Sequence, residues 1–161
     1  MTKTPRDPGY DERVRASFAR QAAMATLGVT LERVAPGEVA LELTFRPELT
    51  QQHGFLHAGI VTSVMDSACG YAALSLMERG TGVVSVEFKV NLLAPARGDR
   101  FRAVGRVVRA GRTVTVVSGE FRVVEPASDE QALTSADTSG ALVAIMTGTM
   151  MAVRDRPEML D

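Results

Sequence analysis

Two periodicities divide this chain. Between positions 10 and 27 the apolar residues Val14, Phe18, Ala22, Met24 and Leu27 recur at spacings near 3.6, which predicts one amphipathic helix ending near Gly28. From 29 to 46 the period drops to two: Val29, Leu31 and Val34, then Val39, Leu41, Leu43 and Phe45, broken at Pro36 and Gly37, predict a β-hairpin. A polar stretch through Gln51, Gln52 and His53 leads into a second helix, starting near Ala58 or Gly59 and ending near Arg79 and Gly80. That helix is apolar on almost every side. Alternating runs at 83–93, 101–109 and 113–124 predict three strands, a polar small-residue loop fills 125–140, and a last strand covers 142–153. Pro5, Pro8 and Gly9 mark residues 1–9 as a flexible leader, 10–156 as a single domain and 157–161 as a tail.

A helix too apolar to lie on a surface, followed by a run of antiparallel strands, implies an α+β fold in which a strongly curved antiparallel sheet wraps around one long central helix, the hotdog arrangement. Such a sheet has free edges, so pairing of two sheets into one longer sheet is expected, giving a homo-oligomer that is at least a dimer. The length of 161 residues suits one core, and 45% hydrophobic with 23% charged residues describes an average water-exposed domain. A net charge of -1 offers no surplus of cations for nucleic acid. No stretch approaches the ~18 apolar residues of a membrane span, and the N-terminus lacks the apolar core of a secretion signal. The single cysteine, Cys69, sits inside the apolar helix and reads as a small buried hydrophobe in a reducing compartment, so a cytoplasmic location is expected.

Chemistry concentrates in the run QQHGFLHAGIVTSVMDSACGYAALSL at 51–76. Asp66 is the one acid in a helix otherwise made of Ile60, Val61, Val64, Met65, Ala68 and their like, where an ionised carboxylate is costly unless paired or facing a wet cleft. Thr62, Ser63, Ser67 and Gly70 share its side of the helix. The turn at His57, Ala58 and Gly59 supplies free backbone N–H groups at the helix N-terminus, suited to a developing oxyanion. His53 and His57 with one helical cysteine do not form a ligand set, so no metal and no cofactor is expected.

With those residues in view, the run HGFLHAGIVTSVMDSACGYAA resembles the HGG-then-Asp signature of PaaI-like hotdog-fold acyl-CoA thioesterases. The run VVSVEFKVNLLAPARGDRFRAVGRVVRAGRTVTVVSGEF resembles their following strands, including the turn at Gly111, Arg112 and Thr113. The resemblance spans roughly residues 15–154. It implies hydrolysis of an acyl- or aryl-CoA to free acid and CoA. By position, Asp66 matches the family's general base or nucleophile, and His57 with the Ala58 N–H matches the group that polarises the thioester carbonyl. Gln51 stands where many members carry Asn, and Ser85 matches a serine that places the water, reaching across from a partner subunit. Two departures stand out: Ala58 replaces the first Gly of HGG, adding a Cβ to the site, and Gln51 is one methylene longer than Asn.

For the substrate's CoA portion, Gly59, Lys89, Arg109, Arg112 and Thr113 are the expected contacts. Lys89, Arg109 and Arg112 among them form, with Arg97 and Arg100, a loose basic set whose ordinary reading is a solvated sheet edge. A dimer of dimers, a homotetramer, follows from the same resemblance. The competing readings are a hotdog enoyl-thioester hydratase or dehydratase, pairing His57 with Asp66, and a non-catalytic acyl-CoA-binding protein, which has no need of Asp66.

Overall fold

The computed structural model describes residues 3–124, 140–154, 156 and 161. Residues 125–139 of the polar loop expected at 125–140 and most of the tail at 157–161 lie outside the described residues. Two short helices, α1 (Tyr10–Ala19) and α2 (Ala22–Leu27), precede the hairpin β1 (Val29–Ala35) and β2 (Glu38–Thr44). A single 3-10 turn at Pro47–Leu49 follows, then the long helix α3 (Ala58–Leu74). Strands β3 (Gly82–Leu92), β4 (Arg100–Ala110), β5 (Val114–Val123) and β6 (Leu142–Val153) complete a six-stranded antiparallel sheet in the order β1-β2-β4-β5-β6-β3. The sheet curves around α3, which packs against strands from β2 to β3, so the fold is the expected hotdog. Among the described residues no helix is long and apolar enough to cross a membrane.

The core lies between α3 and the concave face. On β5, Thr115, Val117, Gly119 and Phe121 are buried while Val114 and Val116 are exposed, the alternation of a strand with one packed face. Phe101 of β4 stacks on Phe121 with ring centroids 5.4 Å apart. Under the middle of α3, Gly105 of β4 and Gly119 of β5 stand opposite one another in register. A Cβ at Gly105 would lie 2.4 Å from the Ala68 carbonyl, and one at Gly119 would lie 2.9 Å from the Cys69 sulfur. At Gly105 the helix therefore rests backbone against backbone on the sheet, two residues beyond Asp66, and at Gly119 the missing Cβ leaves room for the Cys69 sulfur.

Two expectations are corrected. The helix predicted for 10–27 is broken: Ala19 ends α1, the N–H groups of Arg20 and Gln21 close back onto Ser17 and Phe18, and Gln21, extended at ψ 91°, caps α2. Met24 and Ala25 then donate to the Gln21 carbonyl. The central helix also stops at Leu74, short of the expected Gly80. Ser75 donates its hydroxyl to the Ala72 carbonyl at 2.7 Å and accepts the Gly37 N–H at 2.8 Å. Arg13 of α1 donates to the carbonyls of Leu74 (2.9 Å), Met77 (2.8 Å) and Glu78, which satisfies the groups a longer helix would have used. Arg13 also pairs with Asp7, itself 4% exposed, so the leader is pinned to the helix end at that point rather than free along its length.

Candidate active site

Asp66 lies just over two turns into α3 and is half-buried. Its Oδ1 accepts a 2.6 Å hydrogen bond from the Ser85 hydroxyl. A β-bulge makes that contact possible: pairing of β3 with β6 slips between Ser85 and Glu87, leaving Val86 as the extra residue. Such a bulge re-aims the adjacent side chain. Ser85, opposite the buried Met150 and 3.3 Å from its sulfur, thus turns toward the helix. The resemblance drew Ser85 from a partner subunit; here the two residues belong to one chain, because β3 runs alongside α3. Together they line a chamber of about 140 Å³ whose other walls include Ser17, Gln21 and Tyr71. Burial raises the Tyr71 phenol, partly countered by its hydrogen bond to Ser17, so it stays protonated at neutral pH.

The helix N-terminus faces a different space. His57 caps α3, its Nδ1 accepting the Gly59 N–H at 2.9 Å, and its own N–H donates to the Leu49 carbonyl at 2.9 Å. Ile60 and Val61 donate to the His57 carbonyl. That leaves the Ala58 N–H as the one first-turn donor without a partner among the described residues. Ala58 and Gln51 line a second, more apolar cavity of about 470 Å³ with Phe55, Val61, Leu92 and Pro95. The Gln51 amide oxygen accepts the His53 N–H, so the amide is oriented with its NH2 left to donate. Thr62 and Ser63, expected beside Asp66, instead return their hydroxyls to the Ala58 and Gly59 carbonyls at 2.8 Å each.

Within one chain the two cavities are separate. Ala58 to Asp66 spans eight residues of α3, about 12 Å along its axis. Gly59 has its N–H committed to His57. Lys89, Arg109, Arg112 and Thr113 are exposed and line neither cavity. Among the described residues, Lys89, Arg109 and Arg112 have no carboxylate within 4 Å, whereas Arg100 pairs with Glu42 at 3.4 Å. Arg97 stacks 5.0 Å above the Phe55 ring at the wall of the larger cavity. Cys69, one turn beyond Asp66, is buried and donates to the Ser118 carbonyl at 3.5 Å. Burial, then the charge of Asp66, push its thiol up to about 12, so it packs rather than reacts. No three His, Cys, Asp or Glu among the described residues converge as metal ligands.

A family model described as the thioesterase superfamily matches residues 53–128, a stretch that holds Ala58, Asp66 and Ser85. A thioesterase family protein from Silicibacter pomeroyi is 49% identical, with a TM-score of 0.81, covering 91% of this chain and 99% of that one. The chain belongs to the thioesterase superfamily. As a member it is a thioester hydrolase. Human acyl-coenzyme A thioesterase 13 is 32% identical over 91 residues, 56% of this chain and 64% of that protein. The PaaI protein of Escherichia coli, from the phenylacetic acid degradation operon, shares the fold at a TM-score of 0.74 and 20% identity, covering 89% and 93% of the two chains.

Ser17 and Gln21 of the chamber wall are not among the site residues expected from sequence, the first of which is Gln51. A break in the helix without Pro or Gly gives no sequence signal, and the approach of Ser17 to Asp66 is long-range.

Proposed function

We propose that this thioesterase hydrolyses acyl-CoA to a free acid and CoA, with the complete site formed where two copies meet. The observation that carries the reading is the Ser85–Asp66 hydrogen bond of 2.6 Å beside a chamber, in a chain whose unpartnered Ala58 N–H opens onto another. One thioester carbonyl cannot touch both across about 12 Å of helix. A second copy supplies what the first lacks: Asp66 and Ser85 from one subunit, Ala58 and Gln51 from the other.

In that site the Ala58 N–H and the Gln51 NH2 donate to the thioester oxygen and stabilise it as charge develops there. Ser85 holds Asp66 Oδ1, and Oδ2 takes a proton from water as the water attacks the carbonyl carbon; in the nucleophilic variant Oδ2 attacks instead, the thiolate leaves, and water then opens the mixed anhydride to give the acid and restore Asp66. In the general-base route the tetrahedral intermediate collapses, the C–S bond breaks, and CoA leaves as the thiol after taking up the proton. His57 is a positioning residue that fixes the loop and the helix start. Lys89, Arg109, Arg112 and Thr113, at exposed strand and turn positions, are proposed to meet the phosphates of CoA, an assignment favoured by their lack of acidic partners. The rival hydratase chemistry needs a His57 imidazole free to exchange protons beside an acid, whereas its Nδ1 is committed to the Gly59 N–H as the cap of α3.

The surface for assembly is β3. It is an edge strand of eleven residues with Val86, Phe88 and Leu92 at 43–58% exposure, exposed apolar surface at a free edge that proteins normally cover. Pairing β3 with its copy yields one continuous sheet. Val114, Val116, Ile145 and Met151 on the outer face, all exposed, suit a second contact that makes a dimer of dimers. A cytoplasmic setting fits the lone, buried thiol. Asp66→Asn tests the chemistry: thiol release from acyl-CoA is expected to fall about 10²–10⁴-fold in kcat. Turnover near the wild-type rate would remove Asp66 from the mechanism.

A further inference from the structure

Register with β6 sets the direction of each side chain on β3. Ser85, Phe88, Val90 and Leu92 stand opposite Met150, Gly148, Met146 and Ala144, all four of which are buried. Cross-strand partners share a face, so these residues of β3 form an inward row on the side of the sheet that carries α3. The two ends of the row are fixed: Ser85 lines the chamber at Asp66, and Leu92 lines the larger cavity with Ala58. Phe88 is the next inward side chain after Ser85. Their partners Gly148 and Met150 are two residues apart, so Phe88 follows Ser85 by about 7 Å along the sheet, and the Ser85 hydroxyl holds Asp66. Although it faces the core side, Phe88 is 43% exposed. Its partner is a glycine, so no side chain of β6 stands directly across from the ring.

A thioester whose carbon is held at Asp66 must send its acyl chain along some wall. The chamber itself presents Ser17, Ser67 and Asp161, polar groups that methylenes would desolvate without return. The inward row presents Phe88 and then Val90, with no polar side chain between them. The thiol arm of CoA carries amides that need hydrogen-bond partners, which these side chains cannot give. We infer that Phe88 is a specificity-determining residue: the apolar acyl chain, leaving the thioester at Asp66, lies on its ring and runs on toward Val90. Aliphatic acyl groups long enough to cross the ring are favoured over acetyl-sized ones. The inference rests on the thioesterase reading of Asp66 and deepens it. Pairing of β3 with its copy uses the free backbone groups of the strand, so the inward face stays open to substrate.

Affinity ratios test this on the intact protein. CoA thioethers carrying an octyl or an ethyl group cannot be hydrolysed, and the ratio of their dissociation constants cancels what the CoA portion contributes. Wild-type protein is expected to prefer the octyl compound. Phe88→Ser should shrink that preference about tenfold, the equivalent of about two buried methylenes, while Phe88→Leu keeps most of it. Val86→Ser is the control, since Val86 is 58% exposed on the same strand but is the extra residue of the bulge, outside the inward row. It should leave the ratio at the wild-type value. A wild-type protein without octyl preference, an undiminished ratio in Phe88→Ser, or an equal loss in Phe88→Leu or Val86→Ser would overturn the inference. Thiol release from octanoyl-CoA and acetyl-CoA reads the chemistry separately. A binding ratio that depends on Phe88, in a protein that releases no thiol, would sink the hydrolysis at Asp66 and leave the acyl contact supported.

Discussion

Ala58 occupies the first position of α3, where proline is well tolerated because the N–H there has no helical partner. The residue before it, His57, already has φ -64° and ψ 137°, a conformation that precedes proline without strain. Ala58→Pro therefore deletes one N–H and little else. If that N–H holds the oxyanion, kcat should fall about 10²–10³-fold while the melting temperature stays within a degree or two of wild type. Undiminished turnover in a folded Ala58→Pro protein would exclude the donor. Asp66 was legible in the sequence because a lone acid among apolar neighbours is an anomaly any window exposes. Ser85 was not, except through resemblance: an exposed serine on an alternating strand is ordinary, and only the bulge at Val86 gives it a direction. Gln21 was hidden for the same kind of reason, since its position depends on a helix break closed by backbone contacts.

At the scale of elements, the placement of α3 decides the geometry of both half-sites. Its start was readable from the change of polar loop to apolar helix at Ala58. Its end was not, because the groups that terminate it come from elsewhere: Arg13 in α1 and the Gly37 N–H in the β1–β2 turn. The seat on Gly105 and Gly119 was equally unreadable, since a glycine within a strand signals close approach without naming what approaches. Gly105→Ala puts a Cβ against the Ala68 backbone at 2.4 Å, where neither side is a flexible chain end. We expect a loss near the upper end of roughly 1–3 kcal/mol, read as a lower urea midpoint with an unchanged slope. Activity should fall as well, because the displaced backbone lies next to Asp66. A stability equal to wild type would mean that the helix can shift off the strand at no cost.

At the scale of the whole molecule, the proposed reading gives a single chain two half-sites, one at each end of the first turns of α3. Two-fold pairing would complete both at once, and this makes a mixing experiment decisive. Asp66→Asn and Ala58→Pro proteins are each expected to be nearly inactive. Unfolded together and refolded as an equal mixture, half of the dimers are mixed, and each mixed dimer has one site free of both changes, so activity should recover to about a quarter of wild type for random pairing. No recovery in a mixture shown to contain mixed dimers would place the whole site within one subunit. The sequence indicated free sheet edges from the strand count, but which strand stands at the edge depends on topology: β3 precedes β4 in the chain yet lies at the far side of the sheet, beyond β6.

That position has a consequence for how the protein behaves on dilution. Ser85 sits on β3, and β3 has a neighbour only on its β6 side. If its other side is filled by a second copy, the amount of working enzyme is set by mass action. Above the dissociation constant of the pair, the rate per litre grows in proportion to the protein present. Below it, the rate grows with the square, and a tenfold dilution removes nearly a hundredfold of the activity.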